Sequence, residues 1–288
     1  MKRSIALSGE QMTPALADIF DGVGLIRSEY LFRELGLYPT MEKAQVFVEE
    51  YLFQTCSVTE QTVRYRTMEV TEVEAAVLAG CESSSYDRDH EMFGLRGVRR
   101  HMSFPMALDA ALEELSSVSK KFPDVKVVAP FVTNVAEYLW FKDRVARYCG
   151  DIEVCSMVEL PAVVLDISQF VSAGLRTAII GINDLSSFLT GTRRSPQSRT
   201  ETPAGLRNAI RRVIDALDEN GGQVAIAGYL SPEVIDTAID VKADELVYHY
   251  SSARSLLKLD KKLFPESDHL FLSRRRPFLT FAVLSSRI

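Results

Sequence analysis

The sequence predicts an α/β protein whose single domain is a (β/α)8 TIM barrel. Three observations support this fold class. Short apolar segments rich in β-branched residues recur along the chain, helical segments lie between most of them, and the length of 288 residues is typical of such a barrel. An open doubly wound sheet is the alternative, but eight units in regular order favour closure of the sheet.

Eight short apolar segments carry the strand signal, and glycine, proline or polar residues bound them. The predicted strands are residues 4–7, 22–26, 62–68, 93–98, 125–129, 152–158, 177–182 and 223–227. In the fourth of these segments, glycines stand close to Arg96 on both sides, and glycine allows the backbone to approach a ligand closely. A plain tight turn is the alternative for that segment.

Apolar residues between the strands recur at helical spacing. The predicted helical segments are residues 11–20, 30–36, 40–55, 105–121, 135–148, 161–171, 204–220, 232–241 and 253–263. Pro39 separates the second helix from the third, Pro161 stands in the first turn of its helix, and Gly221 ends another. Residues 71–79 fit either a helix or a loop, and the polar segments 80–91 and 195–203 are predicted loops.

The composition is that of a globular protein, with 47% hydrophobic and 25% charged residues. The net charge of -6 gives no reason to expect a nucleic-acid partner. Apolar runs are too short for a membrane span, and the opening segment is too short for a signal peptide, so we expect a cytoplasmic protein. The four cysteines form no CxxC pair and the four histidines no zinc motif, so we expect no zinc site.

Two carboxylates come directly after predicted strands. Glu159 follows residues 152–158, and Asp184 follows residues 177–182 with one residue between. Parallel α/β enzymes place metal ligands and catalytic groups at this end of their strands. The pair therefore predicts oxygen ligands for one hard cation such as Mg²⁺. The alternative is that Glu159 caps the next helix and Asp184 stands in an ordinary turn.

Charged residues stand at the carboxyl ends of several predicted strands, where the barrel mouth would bring them together. They are Arg27, Arg66, Glu69, Arg96, Glu159 and Asp184. Unpaired charges in such a mouth are costly, so these groups should meet each other or a ligand. Arginine suits carboxylate and phosphate oxygens, which predicts a small, strongly anionic ligand bound together with Mg²⁺. A network of arginine–carboxylate salt bridges is the alternative.

Five motifs give the sequence a family resemblance. They are DGVGLIRSEYL (21–31), RTME (66–69), FGLRG (93–97), VELP (158–161) and GINDL (181–185). Together, and in this order, they resemble the PEP-binding barrel of the PEP-utilising enzymes, the family of phosphoenolpyruvate synthase, pyruvate phosphate dikinase and enzyme I of the sugar phosphotransferase system. The resemblance extends from about residue 4 to about residue 260 and implies a barrel that binds phosphoenolpyruvate (PEP) or pyruvate.

The resemblance also implies roles for individual residues. Glu159 and Asp184 match the magnesium ligands, and Arg66 and Arg96 match the catalytic arginines that hold the phosphate and enol oxygens. The remaining substrate-binding positions are Arg27, Asn183 and Arg194. In this family a cysteine at the last strand protonates the methylene carbon of the enolate.

The sequence departs from the family pattern at the proton donor. Ala227 stands where the family has its cysteine, and alanine cannot transfer a proton. Tyr229 is a candidate replacement, because residues i and i+2 of a strand share a face. Glu69 replaces the family's aspartate after the RTM run, and Arg193 stands where an aspartate usually precedes the last arginine.

Two functions remain open. The favoured one is an enzyme of the transferase or lyase type, which turns over PEP, pyruvate or a related 2-oxo acid through an enolate with Mg²⁺. The alternative is a non-catalytic module that binds PEP or pyruvate as a sensor or subunit. A citrate-lyase-type aldolase barrel is a third reading, but the spacing from Arg66 to Arg96 fits it less well.

We expect a barrel domain over residues 1–263 and a C-terminal extension over residues 264–288. The extension holds the basic cluster 274–276 and an apolar run. The family's phosphohistidine and nucleotide-binding domains are missing from the 288 residues, so we do not expect the full phosphotransfer cycle from this chain alone. The expected partners are a small-molecule substrate, a separate phosphocarrier protein and further copies of the chain, with no membrane partner.

Overall fold

The computed structural model describes residues 1–81, 93–192 and 202–264, and in that part of the chain eight parallel strands close into a barrel. Each strand pairs with the next along the chain, and the last pairs with the first. The strands are β1 Lys2–Leu7, β2 Val23–Arg27, β3 Val63–Arg66, β4 Val125–Ala129, β5 Val154–Val158, β6 Thr177–Gly181, β7 Gln223–Ala227 and β8 Glu245–His249. The predicted fold class is confirmed.

Helices connect the strands and pack their apolar faces against the outer surface of the barrel. They are α1 Pro14–Ala17, α2 Ser28–Leu35, α3 Glu42–Val58, α4 Glu72–Ala75, α5 Gly97–Ser103, α6 Pro105–Ser119, α7 Val135–Cys149, α8 Pro161–Leu165, α9 Ile167–Ser172, α10 Ile182–Thr190, α11 Ala204–Asp218, α12 Pro232–Asp240 and α13 Tyr250–Leu256, followed by a 3-10 helix, Lys261–Leu263. The segment 161–171, predicted as one helix, is two helices that meet at Asp166.

The predicted count of eight strands is right, but one predicted strand is wrong. Residues 93–98 contain the start of α5, and both Gly94 (φ +97°) and Gly97 (φ +57°) adopt left-handed conformations that no strand tolerates. The eighth strand is β8, which the sequence reading missed. Ala227 therefore ends the seventh strand and not the last one.

The interior of the barrel is stacked in layers, as strand side chains alternate between its inside and its outside. An apolar middle layer fills the centre and is two side chains deep on β5 and β7; it is formed by Ala6, Leu25, Val128, Cys155, Met157, Ile179, Ala225, Ala227 and Val247. A polar lower layer contains Arg64 and Glu245, which form two hydrogen bonds of 2.7 and 2.8 Å. The third layer, at the carboxyl ends of the strands, is the mouth.

Several predictions concern residues outside the described ranges. The predicted loops 80–91 and 195–203 and the extension 264–288 lie largely there, and Arg193 and Arg194 lie there entirely. At the end of the described chain, the ring of Phe264 packs edge-on against Tyr250 with centroids 5.0 Å apart. Among the helices that are described, none is both long and apolar enough to cross a membrane.

Candidate functional site at the barrel mouth

Two buried carboxylates stand at the mouth, as the sequence predicts. Glu159 follows the end of β5 and is 3% exposed, and Asp184 lies in the first turn of α10 and is 4% exposed. The Asp184 charge is one of the two main causes that raise the pKa of Glu159, so the two carboxylates act on each other directly. The structure therefore brings together the pair that the sequence singled out.

Arg66 links this pair to a third carboxylate. It ends β3, is buried, and donates a short hydrogen bond from its guanidinium group to Glu29 in the first turn of α2. Its other terminal nitrogen lies 3.7 Å from Oε1 of Glu159. Nε of Arg66 is also buried and has no hydrogen-bond partner among the described residues. An anion in the mouth could accept a hydrogen bond from this N–H group.

Arg96 approaches the same site from the start of α5. Its Nε donates a 2.7 Å hydrogen bond to Glu69, and its guanidinium group stacks on the ring of Phe131, 4.1 Å from the centroid. Burial lowers the pKa of Arg96, but the hydrogen bond to Glu69 and the charges of Glu69, Asp184 and Glu159 outweigh it, so the net shift is upward. Arg96 therefore interacts electrostatically with both mouth carboxylates, while Arg66 lies 3.7 Å from Glu159.

Main-chain geometry fixes the position of Glu159. The N–H group of Phe131 donates to its Oε2 at 3.1 Å, although Phe131 has a left-handed backbone with φ +46°, which is costly for a large side chain. Gly97 packs so closely beneath this turn that a Cβ atom there would lie 2.4 Å from the carbonyl oxygen of Pro130. On the opposite side, a Cβ atom on Gly181 would lie 2.6 Å from Cγ of Glu159.

The other predicted residues lie around the mouth. Arg27, the last residue of β2, hydrogen-bonds the hydroxyl of Tyr30 and lies 3.6 Å from Glu29. Asn183 accepts a 3.2 Å hydrogen bond from the backbone N–H of Tyr229, which connects α10 to the end of β7. The side chain of Tyr229 is 50% exposed.

The donor set fits Mg²⁺. Burial and the Asp184 charge raise the pKa of Glu159 to about 8, although Arg66 and Arg96 oppose the change, so a cation between the two carboxyl groups would favour their ionised forms. No group of three or more histidine, cysteine, aspartate or glutamate side chains could hold a metal within the described ranges. Mg²⁺ commonly needs only one or two protein carboxylates, with substrate and water oxygens completing its shell.

This pKa makes a testable prediction for pH dependence. Below about pH 8 the carboxyl of Glu159 is protonated, so Mg²⁺ must displace a proton when it binds. We expect the association constant for Mg²⁺ and oxalate to rise about tenfold per pH unit below that value and to level off above it. Calorimetry at pH 7 in buffers of different ionisation enthalpy should detect the released proton. Binding heats that are independent of the buffer would contradict this assignment.

The close approach at Gly181 makes a second prediction. Gly181 has φ −81°, which alanine adopts easily, so a Gly181→Ala change acts through contact with Glu159 and not through backbone strain. Displacing that carboxylate should weaken binding of magnesium and oxalate about tenfold, since overpacking costs about 1–3 kcal/mol. The matched control is Gly205→Ala, because its added Cβ would meet nothing within 4 Å beyond its chain neighbours and the backbone of its own helix. Equal affinity in the two variants would show that Glu159 tolerates displacement.

Sequence reasoning missed several residues of the mouth. Glu29 is the partner of Arg66, and Phe131 both stacks on Arg96 and binds Glu159. His249 ends β8 beside Ser8, which follows β1. Glu29 lies inside a family motif and His249 follows an apolar run, so position relative to a strand end could have indicated both. Phe131 carries no comparable signal in the sequence.

Comparisons with known proteins place the chain in a family. The model of the PEP-binding domain of PEP-utilising enzymes matches residues 6–254. The chain is 26% identical over 226 residues to phosphoenolpyruvate synthase from Pyrococcus furiosus, covering 72% of this chain and 27% of that one. It is 26% identical over 236 residues to the multiphosphoryl transfer protein of Xanthomonas campestris, covering 77% of this chain and 27% of that one. The chain thus spans about a quarter of the length of these relatives.

Solved structures with a similar shape include an HpcH/HpaI aldolase/citrate lyase family protein from Burkholderia cenocepacia. The TM-score is 0.52 at 12% identity, and the match covers 89% of this chain and 93% of that one. At this identity the likeness concerns the barrel fold and not the reaction.

Proposed function

The chain belongs to the PEP-utilising enzymes, whose PEP-binding domain it matches, and we propose that its barrel mouth binds PEP, pyruvate or a related 2-oxo acid together with Mg²⁺ and turns it over through an enolate. The family match supports PEP binding in general. The proposed reaction depends on the chemistry of the mouth.

The observation that carries this proposal is a network of opposite charges that is buried except at Arg27. It contains three arginines and four carboxylates: Arg27, Arg66, Arg96, Glu29, Glu69, Glu159 and Asp184. With every group ionised the network has a net charge of −1. A bound divalent cation would change that net charge to +1. A site of this kind attracts an anion only after the cation has bound. Its charge balance therefore favours joint binding of Mg²⁺ and a small polyanion.

Each residue has a proposed role. Glu159 and Asp184 would hold Mg²⁺, which when bound supplies positive charge to stabilise an enolate oxygen. Arg66 and Arg96 are proposed as catalytic residues that bind the phosphate and enol oxygens, because their fork-shaped groups reach the mouth from two sides. Arg27 is proposed to bind the substrate beside Arg66 and Arg96, and Asn183 to help bind the substrate carboxylate. Arg194, which lies outside the described ranges, is proposed as a further substrate-binding residue.

Ala227 leaves open how the enolate is consumed. Its methyl group lies in the apolar middle layer beneath the mouth and carries no proton to give. Tyr229 is one candidate donor, with a half-exposed ring two residues past the end of β7. Reaction of the enolate with another electrophile, including a group on a separate phosphocarrier protein, is the other outcome we propose. Whether the enolate is protonated or reacts with another electrophile, we propose a homo-oligomeric enzyme of the transferase or lyase type.

The same alanine favours one alternative function. A mouth that keeps its binding groups but lacks a proton donor would serve as a non-catalytic PEP or pyruvate sensor, or as a subunit of a larger assembly. Calorimetry with magnesium and oxalate, a planar mimic of enolpyruvate, tests binding. Phosphorus and proton NMR with magnesium and PEP, pyruvate or oxaloacetate test turnover. Binding with turnover supports the enzyme, binding without turnover supports the sensor, and absence of binding would overturn both.

A further inference from the structure

The last strand brings a histidine to the side of the mouth where Ala227 leaves no acid. Strand β8 pairs in parallel with β7, and Val247 is the register partner of Ala227. Both side chains belong to the apolar middle layer. His249 stands two residues beyond Val247 on the same strand, so its side chain lies on the same inward face, one step nearer the mouth.

Strand β1, on the other side of β8, also lies beside His249. In the register of β8 with β1, His249 is the partner of Ala6, which also belongs to the middle layer. Ser8 is fully buried just beyond β1, and its Oγ lies 3.4 Å from Nε2 of His249. The backbone N–H of Ser8 is in turn bonded to the carboxylate of Glu10. The Nε2 side of the imidazole therefore faces a fixed polar group at the rim of the mouth.

The other ring nitrogen has partners suited to both protonation states. Nδ1 of His249 lies 2.8 Å from the hydroxyl of Ser251 and 3.3 Å from its backbone N–H, as the histidine caps helix α13. A hydroxyl can accept a hydrogen bond from a protonated Nδ1, and the N–H group can donate to a deprotonated one. For proton transfer at Nε2, Nδ1 keeps its proton and donates a hydrogen bond to the Ser251 hydroxyl, so the ring stays in place while Nε2 gains or loses its proton.

We propose that His249 is the proton-transfer residue of this site and carries out the protonation that Ala227 cannot. The proposal rests on the function proposed above. In the protonating direction, the imidazolium gives its Nε2 proton to the methylene carbon of the enolate. The C=C electron pair forms the new C–H bond, the enolate oxygen becomes a carbonyl oxygen, and neutral imidazole keeps its proton on Nδ1, bonded to Ser251. In the reverse direction, neutral imidazole removes a methyl proton from pyruvate at Nε2.

The reverse reaction provides the test. The full chain is incubated with magnesium and pyruvate in D2O, and exchange of the methyl protons is followed by proton NMR. We expect His249→Asn to slow exchange at least about 100-fold, because general acid–base catalysis contributes about 10²–10⁴-fold. Asparagine is a good helix cap, so this variant keeps α13 capped while removing the acid–base group. Ser255→Ala on the exposed side of the same helix is the matched control and should exchange at the wild-type rate.

Two further measurements separate catalysis from structure and from binding. Added imidazole should restore exchange to His249→Ala, which a purely structural histidine would not allow. Affinity for magnesium and oxalate should stay within about twofold of wild type in His249→Asn. Unchanged exchange in His249→Asn, or a larger loss in Tyr229→Phe, would overturn the proposal. If the unmodified protein binds oxalate but does not exchange the methyl protons of pyruvate, the role of His249 is overturned and the binding function stands. If the unmodified protein does not bind oxalate, both the proposed function and the role of His249 are overturned.

Discussion

Replacing Glu159 by glutamine should weaken magnesium-dependent oxalate binding at least about 100-fold, because losing even an outer-shell partner of a metal site costs about 10–100-fold. Glutamine fills the same space and can still accept the hydrogen bond from Phe131, but it removes the charge that would face the cation. The free energy of unfolding should change little at pH 7 in the absence of metal. At that pH the raised pKa already keeps the carboxyl mostly protonated.

Calorimetry with magnesium and oxalate measures the first effect, and urea unfolding measures the second. The control is Glu219→Gln, which makes the same chemical change at an exposed position on the far end of α11. Retention of wild-type affinity in Glu159→Gln would remove Glu159 from the proposed metal site. A large loss of stability without metal would instead show that the ionised carboxylate holds the mouth together through Arg66.

Replacing Arg64 by methionine should destabilise the protein by about 3–5 kcal/mol, as expected when one partner of a buried ion pair is removed. Arg64 and Glu245 are both buried in the lower layer and joined by two hydrogen bonds. Burial alone would raise the pKa of Glu245, but hydrogen bonds and charge from Arg64 hold it below its ordinary value. Without the arginine, an uncompensated carboxylate remains in the interior of the barrel.

The double variant Arg64→Met with Glu245→Leu is the informative control. Apolar replacement of both partners of a buried ion pair is often neutral or stabilising, so the double variant should regain most of the lost stability. Urea unfolding of the four proteins completes the cycle. Affinity for magnesium and oxalate should stay at the wild-type value in every variant that folds, because the apolar middle layer separates this pair from the mouth. Additive destabilisation would contradict the proposed coupling.

Local patterns in the sequence were enough for the fold class and for the two carboxylates at the strand ends. Glu159 and Asp184 each follow a short apolar strand, and the ends of parallel strands meet at one side of a barrel. That rule needs no knowledge of distant contacts, and it also placed Arg66 correctly at the end of β3. Arg96 reaches the mouth from the start of α5 and not from the end of the strand that was predicted to carry it. Their roles in binding and catalysis stay predictions.

What the sequence did not reveal depends on contacts between distant parts of the chain. Residues 93–98 looked like a strand, but Gly97 adopts its left-handed conformation against Pro130, and the Pro130 carbonyl accepts the N–H of Val98. Strand β8 was missed because it begins with Glu245, and a charged residue usually indicates an exposed position. Its partner Arg64 lies 181 residues earlier, so its burial could not be foreseen from local pattern.

The apolar middle layer has a consequence for the evolution of this barrel. A band of apolar side chains separates the buried pair Arg64 and Glu245 from the charged groups at the mouth. We therefore expect substitutions below this band to act on stability and substitutions above it to act on ligand binding, so the two properties could diverge independently in evolution. Ala227 lies in the band at the end of β7, where we expect a small replacement to affect the mouth more than the stability of the barrel.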